Sequence, residues 1–155
     1  MKSILVLFLF ALVFINQGVT QTVDQDAIDK TNAEIKAAFG FVPEFLNSIP
    51  DQFRPGIWEW MKPHSAMDNA IPPKYQELIR LAVSSQIPCD YCIYAHKAQA
   101  KLLGATDAEI KEAIASAAFA RYWSTVLHGA EYDVEKFKKE WDQILENVSK
   151  MAQEQ

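Results

Sequence analysis

The sequence predicts an all-α protein, and three observations carry that prediction. No run of alternating β-branched residues is long enough to suggest a sheet. Apolar residues recur three and four apart along much of the chain beyond residue 24. Prolines and glycines interrupt that rhythm at spacings that start and stop helices. With 155 residues, half of them apolar, the chain suits one domain with a sizeable core. About six to eight helices are expected, with the active site on two consecutive ones.

The first helix is expected from Asp24 to Phe39, where Ile28, Ile35, Ala38 and Phe39 fall near helical spacing and Gly40 is a natural stop. Between Phe41 and Ile71 the chain carries Pro43, Pro50, Pro55 and Pro63, each of which permits a helix start but not a helix interior. Two short helices are therefore expected there, around Pro43 to Ile49 and Arg54 to Met61. Phe41, Phe45, Phe53, Trp58 and Trp60 supply apolar mass to pack over the main helices.

Pro72 and Pro73 open a helix through Ser85, with Tyr75, Leu78, Ile79, Ala82 and Val83 as its expected buried face and Glu77 on its first or second turn. Pro88 breaks the pattern and puts Cys89 near the start of a further helix, which runs to about Leu103 and stops at Gly104. Thr106 and Glu109 form a capping box for the next helix, lined by Ile110, Ala113, Ile114, Ala117 and Ala118. The stretch from Phe119 to Leu127 continues or closely follows it. After Gly129 and Asp133, a last amphipathic helix sets Phe137, Trp141, Ile144, Leu145 and Val148 against a charged face.

The first twenty residues read differently. Lys2 supplies a short positive region, and Ile4 to Ile15 is an uncharged run too short for a bilayer, which takes roughly 20 apolar residues. That is the pattern of a secretory signal, with Gly18 and Thr20 as the small residues before a cut at Thr20–Gln21; an uncleaved anchor is the alternative. The expected organisation is a signal at 1–20 and a helical domain at 21–155, exported to the periplasm or secreted. Cleavage removes one lysine and no acid, taking the formal charge from −5 to −6. With no cluster of lysines and arginines, nucleic acid is excluded as a partner.

The chemistry is concentrated between Glu77 and His96. The chain's two cysteines, Cys89 and Cys92, form a C-x-x-C pair, with His96 four residues beyond the second and Glu77 twelve before the first. On a helix starting near Cys89, both sulfurs and the imidazole share one face. A helix N-terminus and a nearby imidazolium each favour the thiolate. His96 is placed to take the Cys92 proton and Glu77 to orient the imidazole. A thiolate so formed can be oxidised by peroxide to a sulfenic acid, which the second thiol resolves to a disulfide.

Two other readings stand beside this one. In an exported protein a cysteine pair is usually a structural disulfide. A bridge across so short a loop contributes only about 2 kcal/mol through unfolded-state entropy, against about 4.7 for a hundred-residue loop, which tilts the balance toward redox work. Two thiolates, an imidazole and a carboxylate also make a zinc set, ranked third because structural zinc more often draws on two separated pairs. Covalent haem is excluded, since Ile93 stands where that motif needs histidine.

The E-x₁₁-C-x-x-C-x-x-x-H arrangement of Glu77, Cys89, Cys92 and His96 resembles the alkylhydroperoxidase D-like branch of the carboxymuconolactone decarboxylase family. GFVPEFL before it and LGATDAEIKEAI after it are also similar to the family, and the resemblance covers most of residues 40 to 130. It implies a helical fold assembled into trimers or hexamers, and peroxiredoxin-type, antioxidant reduction of hydroperoxides. By the same resemblance Cys92 meets the peroxide, Cys89 resolves it, and Glu77 and His96 serve a proton relay. No resident cofactor or metal is implied; an external dithiol or thioredoxin-like reductant reopens the disulfide. The family's decarboxylases generally lack the cysteine pair, which ranks that activity, on some other substrate, as an alternative beside a non-enzymatic oligomeric module with a static disulfide. One departure is Tyr91, where the best-known peroxidase of the branch carries a further histidine. A phenol ordinarily titrates near about 10, so it donates a hydrogen bond but is a poor proton shuttle at neutral pH.

Overall fold

The structure, a computed structural model, describes residues 24–64 and 68–153. The expected secretory segment and its cleavage point lie outside them. All regular elements among the described residues are helical: six α-helices and two short 3₁₀ turns. None of these helices is long and apolar enough to cross a membrane. Packing divides the chain into two compact units, one ending at Lys62 and the other beginning at Pro63.

The first unit is built on α1 (Gln25–Phe39). Asp24 caps it by accepting the Ala27 N–H at 3.1 Å, and Gly40 ends it at φ 82°, a left-handed conformation that glycine adopts without steric cost. Two 3₁₀ turns, Glu44–Ser48 and Asp51–Phe53, follow Pro43 and Pro50 and lead into α2 (Arg54–His64). The first expected short helix is thus a 3₁₀ turn. Pro63 also departs from expectation by lying inside α2. It stands next to the last residue of Arg54–His64, so its missing N–H and its ring disturb only the end of that span.

Ile35, Leu46 and Trp58 form this unit's core, with Val42 and Ile49 packed against it. The Trp58 indole N–H donates to Glu34 at 2.8 Å. Arg54, 7% exposed, donates from its guanidinium to Asp51 at 2.8 Å and Asn32 at 3.3 Å, which offsets part of the cost of burying a charge, while its Nε is buried without a partner among the described residues.

The second unit is organised around α3 (Pro73–Gln86), on which α4 (Asp90–Leu102) and α5 (Asp107–Gly129) both pack. Pro73 stands in the first turn of α3, where a missing N–H is harmless. Leu78, Leu81, Ala100 and Ile110 form the core, Leu81 and Ala100 being wholly inaccessible. The buried stripe of α3 is not the expected one. Glu77, Leu78, Leu81 and Ser84 are buried, whereas Tyr75, Ile79 and Val83 are about half exposed. α3 carries apolar residues on two sides, and only the side facing α4 and α5 is covered.

α4 stops at Leu102, followed by Gly104 at φ 85°, and α5 runs without a break for 23 residues, absorbing the aromatic stretch that follows Ala118. The capping box at its start is complete: the Thr106 hydroxyl accepts the Glu109 N–H at 3.1 Å, and the Glu109 carboxylate accepts the Thr106 N–H at 2.8 Å. Lys74 reaches the same carboxylate from α3 at 2.7 Å. These donors, Lys74 first, hold the Glu109 carboxyl down at about 2, below the ordinary carboxylate range. A carboxyl depressed on folding adds stability above its unfolded titration near about 4.3 and loses it as pH falls toward the folded value. The thermal midpoint is therefore expected to fall between about pH 5 and about pH 2, and to fall less steeply in Glu109→Gln. Equal slopes in calorimetric scans would contradict this.

α6 (Val134–Gln153) has no buried residue. Its apolar stripe of Trp141, Ile144, Leu145, Val148 and Met151 is about half exposed, and a mostly apolar groove of about 510 Å³ lies between it and the end of α5, lined by Phe119, Trp123, Leu127, Phe137, Trp141 and Ile144.

Candidate active site

The turn from α3 into α4 assembles the site. Pro88 cannot donate a backbone hydrogen bond, and it restricts Ile87, so α3 ends there. The Cys89 N–H returns to the Ser84 carbonyl at 3.2 Å, and Cys89 becomes the N-cap of α4, its sulfur accepting the Cys92 N–H at 3.3 Å. Cys89 and Cys92 are joined in a disulfide with their Cα atoms 5.3 Å apart. Both are half-buried at the positive end of the helix, where a sulfur carrying negative charge is favoured.

One turn further along α4, His96 places Nδ1 2.7 Å from Oε2 of Glu77. The Glu77 side chain is 4% exposed and comes from the second turn of α3. A carboxylate only accepts hydrogen bonds, so Nδ1 carries the proton and Nε2 is the basic nitrogen of the neutral ring. The structure thus joins the four residues as two pairs, Cys89 with Cys92 in the disulfide and Glu77 with His96 in direct contact, the imidazole lying one turn beyond Cys92 along α4. Tyr91 is 89% exposed, on the outer side of the first turn of α4.

A fifth residue, Arg80, is absent from the sequence reading. Its Nη1 donates to Oε1 of Glu77, and its Nη2 donates to the His64 carbonyl at 2.7 Å and to Gln76 Oε1 at 3.1 Å. The i, i+3 spacing from Glu77 is the signal that could have found it, since residues three apart on a helix are neighbours. Arg80 and His64 also line an open cavity of about 430 Å³ with Ile71, Gln76 and Ile79. His128 stands apart, in the last turn of α5, with Nδ1 2.9 Å from the Ser124 carbonyl. Among the described residues no group of three or more histidine, cysteine or acidic side chains is placed to hold a metal ion.

Residues 58–134, which contain the whole of this site, match the family model described as the carboxymuconolactone decarboxylase family. The fold is similar to the alkylhydroperoxidase AhpD core from Rhodospirillum rubrum, with a TM-score of 0.62 and 26% identity over 72% of this chain and 86% of that one. Among curated proteins none matches the chain.

Proposed function

We propose, from the premise that this chain belongs to the carboxymuconolactone decarboxylase family and shares the AhpD fold, that it is a thiol-dependent hydroperoxide reductase cycling Cys89 and Cys92. The observation that carries the reading is a C-x-x-C disulfide at a helix N-terminus, one turn before an imidazole held by a buried carboxylate.

In the reduced enzyme His96 accepts the Cys92 thiol proton, with Glu77 orienting the ring and balancing the charge it gains. The Cys92 thiolate attacks the outer oxygen of the hydroperoxide; the S–O bond forms, the O–O bond breaks, and the leaving alkoxide takes the proton from His96 as alcohol. Cys89 then attacks the Cys92 sulfenic acid, forming the disulfide and releasing water. An external dithiol or thioredoxin-like protein returns two electrons and two protons, becoming a disulfide itself.

The reading extends to an exported homo-oligomer, a trimer or hexamer. The apolar stripes left uncovered on α3, α5 and α6 are what support assembly. The second reading, a static disulfide in a helical module, is favoured by the joined state of the pair.

Hydroperoxide consumption under a dithiol reductant, measured together with the reduction potential of the pair, separates the two. Turnover with a potential within reach of cellular dithiols is the expected result. A potential well below that of the glutathione pool, with no consumption, would establish the static bridge.

A further inference from the structure

Arg80 takes no part in the steps above, yet it occupies the half of the Glu77 carboxyl that His96 does not. Three acceptors hold its guanidinium in place: Glu77 Oε1, Gln76 Oε1 and the His64 carbonyl. Among the described residues, the ionisable groups paired with Glu77 are Arg80 from its own helix and His96 from α4. The charged residues of α5 that bond to α3, Glu109 and Arg121, are engaged elsewhere on it, by Lys74 and Gln86. A single buried negative charge is thus divided between a permanent cation and an imidazole. A carboxylate with no other partner would stabilise the imidazolium, and an imidazolium cannot accept a thiol proton.

We propose that Arg80 is a positioning residue of this site: it offsets the Glu77 charge and fixes the carboxyl, so that His96 donates from Nδ1 and presents Nε2 as the accepting nitrogen. The inference deepens the peroxidase reading, and only its activity readout rests on that reading.

The test uses the full exported domain as Arg80→Met, Arg80→Lys, Glu77→Gln and the double variant Glu77→Gln/Arg80→Met, with Arg80→Gln as a second uncharged replacement should methionine prevent folding. Arg80→Met is expected to move the acid limb of the pH profile for hydroperoxide consumption upward by about one unit or more. Arg80→Lys, which restores the charge, is expected to return it most of the way. In the Glu77→Gln background, removing Arg80 is expected to leave the limb where Glu77→Gln alone puts it, because the guanidinium acts through the carboxylate. The His96 ring-nitrogen chemical shifts of the oxidised protein give the same information without turnover, reporting an imidazolium that persists to higher pH in Arg80→Met. An unchanged acid limb and unchanged ring state in the uncharged variants would overturn the proposal, as would an equal displacement with and without Glu77. If the wild-type protein consumes no hydroperoxide, the peroxidase reading fails and the ring-nitrogen titration alone decides the role of Arg80.

Discussion

Replacing Cys92 with serine is expected to reduce hydroperoxide consumption to the background rate of the reductant, a loss on the order of 10³-fold or more, as removal of a nucleophile usually brings. Serine is nearly isosteric with cysteine, but its hydroxyl is far harder to deprotonate and does not form a sulfenic acid or a disulfide. The fold is expected to survive. Cys92 is half-buried in a helix whose start depends on Pro88 and on Cys89 as N-cap, and the core beneath it is made by Leu78, Leu81, Ala100 and Ile110. Loss of the short bridge costs only about 2 kcal/mol on the entropic account. Steady-state assays with a thermal melt check both parts. Retained turnover would move the nucleophile elsewhere, and a collapsed melt would make the bridge structural.

The second large effect is expected at Glu77. Glutamine keeps the volume but replaces one acceptor oxygen with an NH₂ group, while both neighbours, His96 Nδ1–H and the Arg80 guanidinium, are donors. At most one of them is satisfied: with the NH₂ group toward His96 the ring loses its orientation or its tautomer, and with it toward Arg80 the guanidinium no longer fixes the side chain that orients the ring. Proton transfer by a positioned base typically contributes 10²- to 10⁴-fold, so a loss of about that order is expected in kcat/KM for the hydroperoxide. The stability change is expected to be modest for a buried charge pair, because the Arg80 side chain is 30% exposed and that of His96 25%, and both regain water. Activity within about threefold of wild type would remove Glu77 from the relay.

Much of this site was legible because its placement depends on local chemistry. Proline before Cys89, the Thr106–Glu109 box, and glycines at Gly40 and Gly104 each act within one turn of the backbone, and each marks a helix end in the structure. Periodicity carried less. It detects an apolar stripe but not which stripe a neighbour covers, so on α3 the expected face included Tyr75, Ile79 and Val83 while Leu81 took the deepest position. The same limit hid Glu77 as a buried residue and Arg80 as its counter-ion. A charged side chain is expected outside unless its partner is known, and one of the two partners comes from the following helix. Pro63 shows the converse, a strong helix breaker tolerated because it arrives in the final turn of α2.

The central claim is that Cys89 and Cys92 exchange electrons with hydroperoxide through a disulfide. The most direct measurement is a single turnover of the fully reduced protein with one equivalent of an organic hydroperoxide, followed by mass spectrometry of the protein and quantification of the alcohol. Stoichiometric alcohol, loss of both thiols with two hydrogens removed from the protein, and, in Cys89→Ser, a sulfenic acid trapped on Cys92 are the expected results. Thiols that survive the hydroperoxide unchanged, with no alcohol formed, would contradict it.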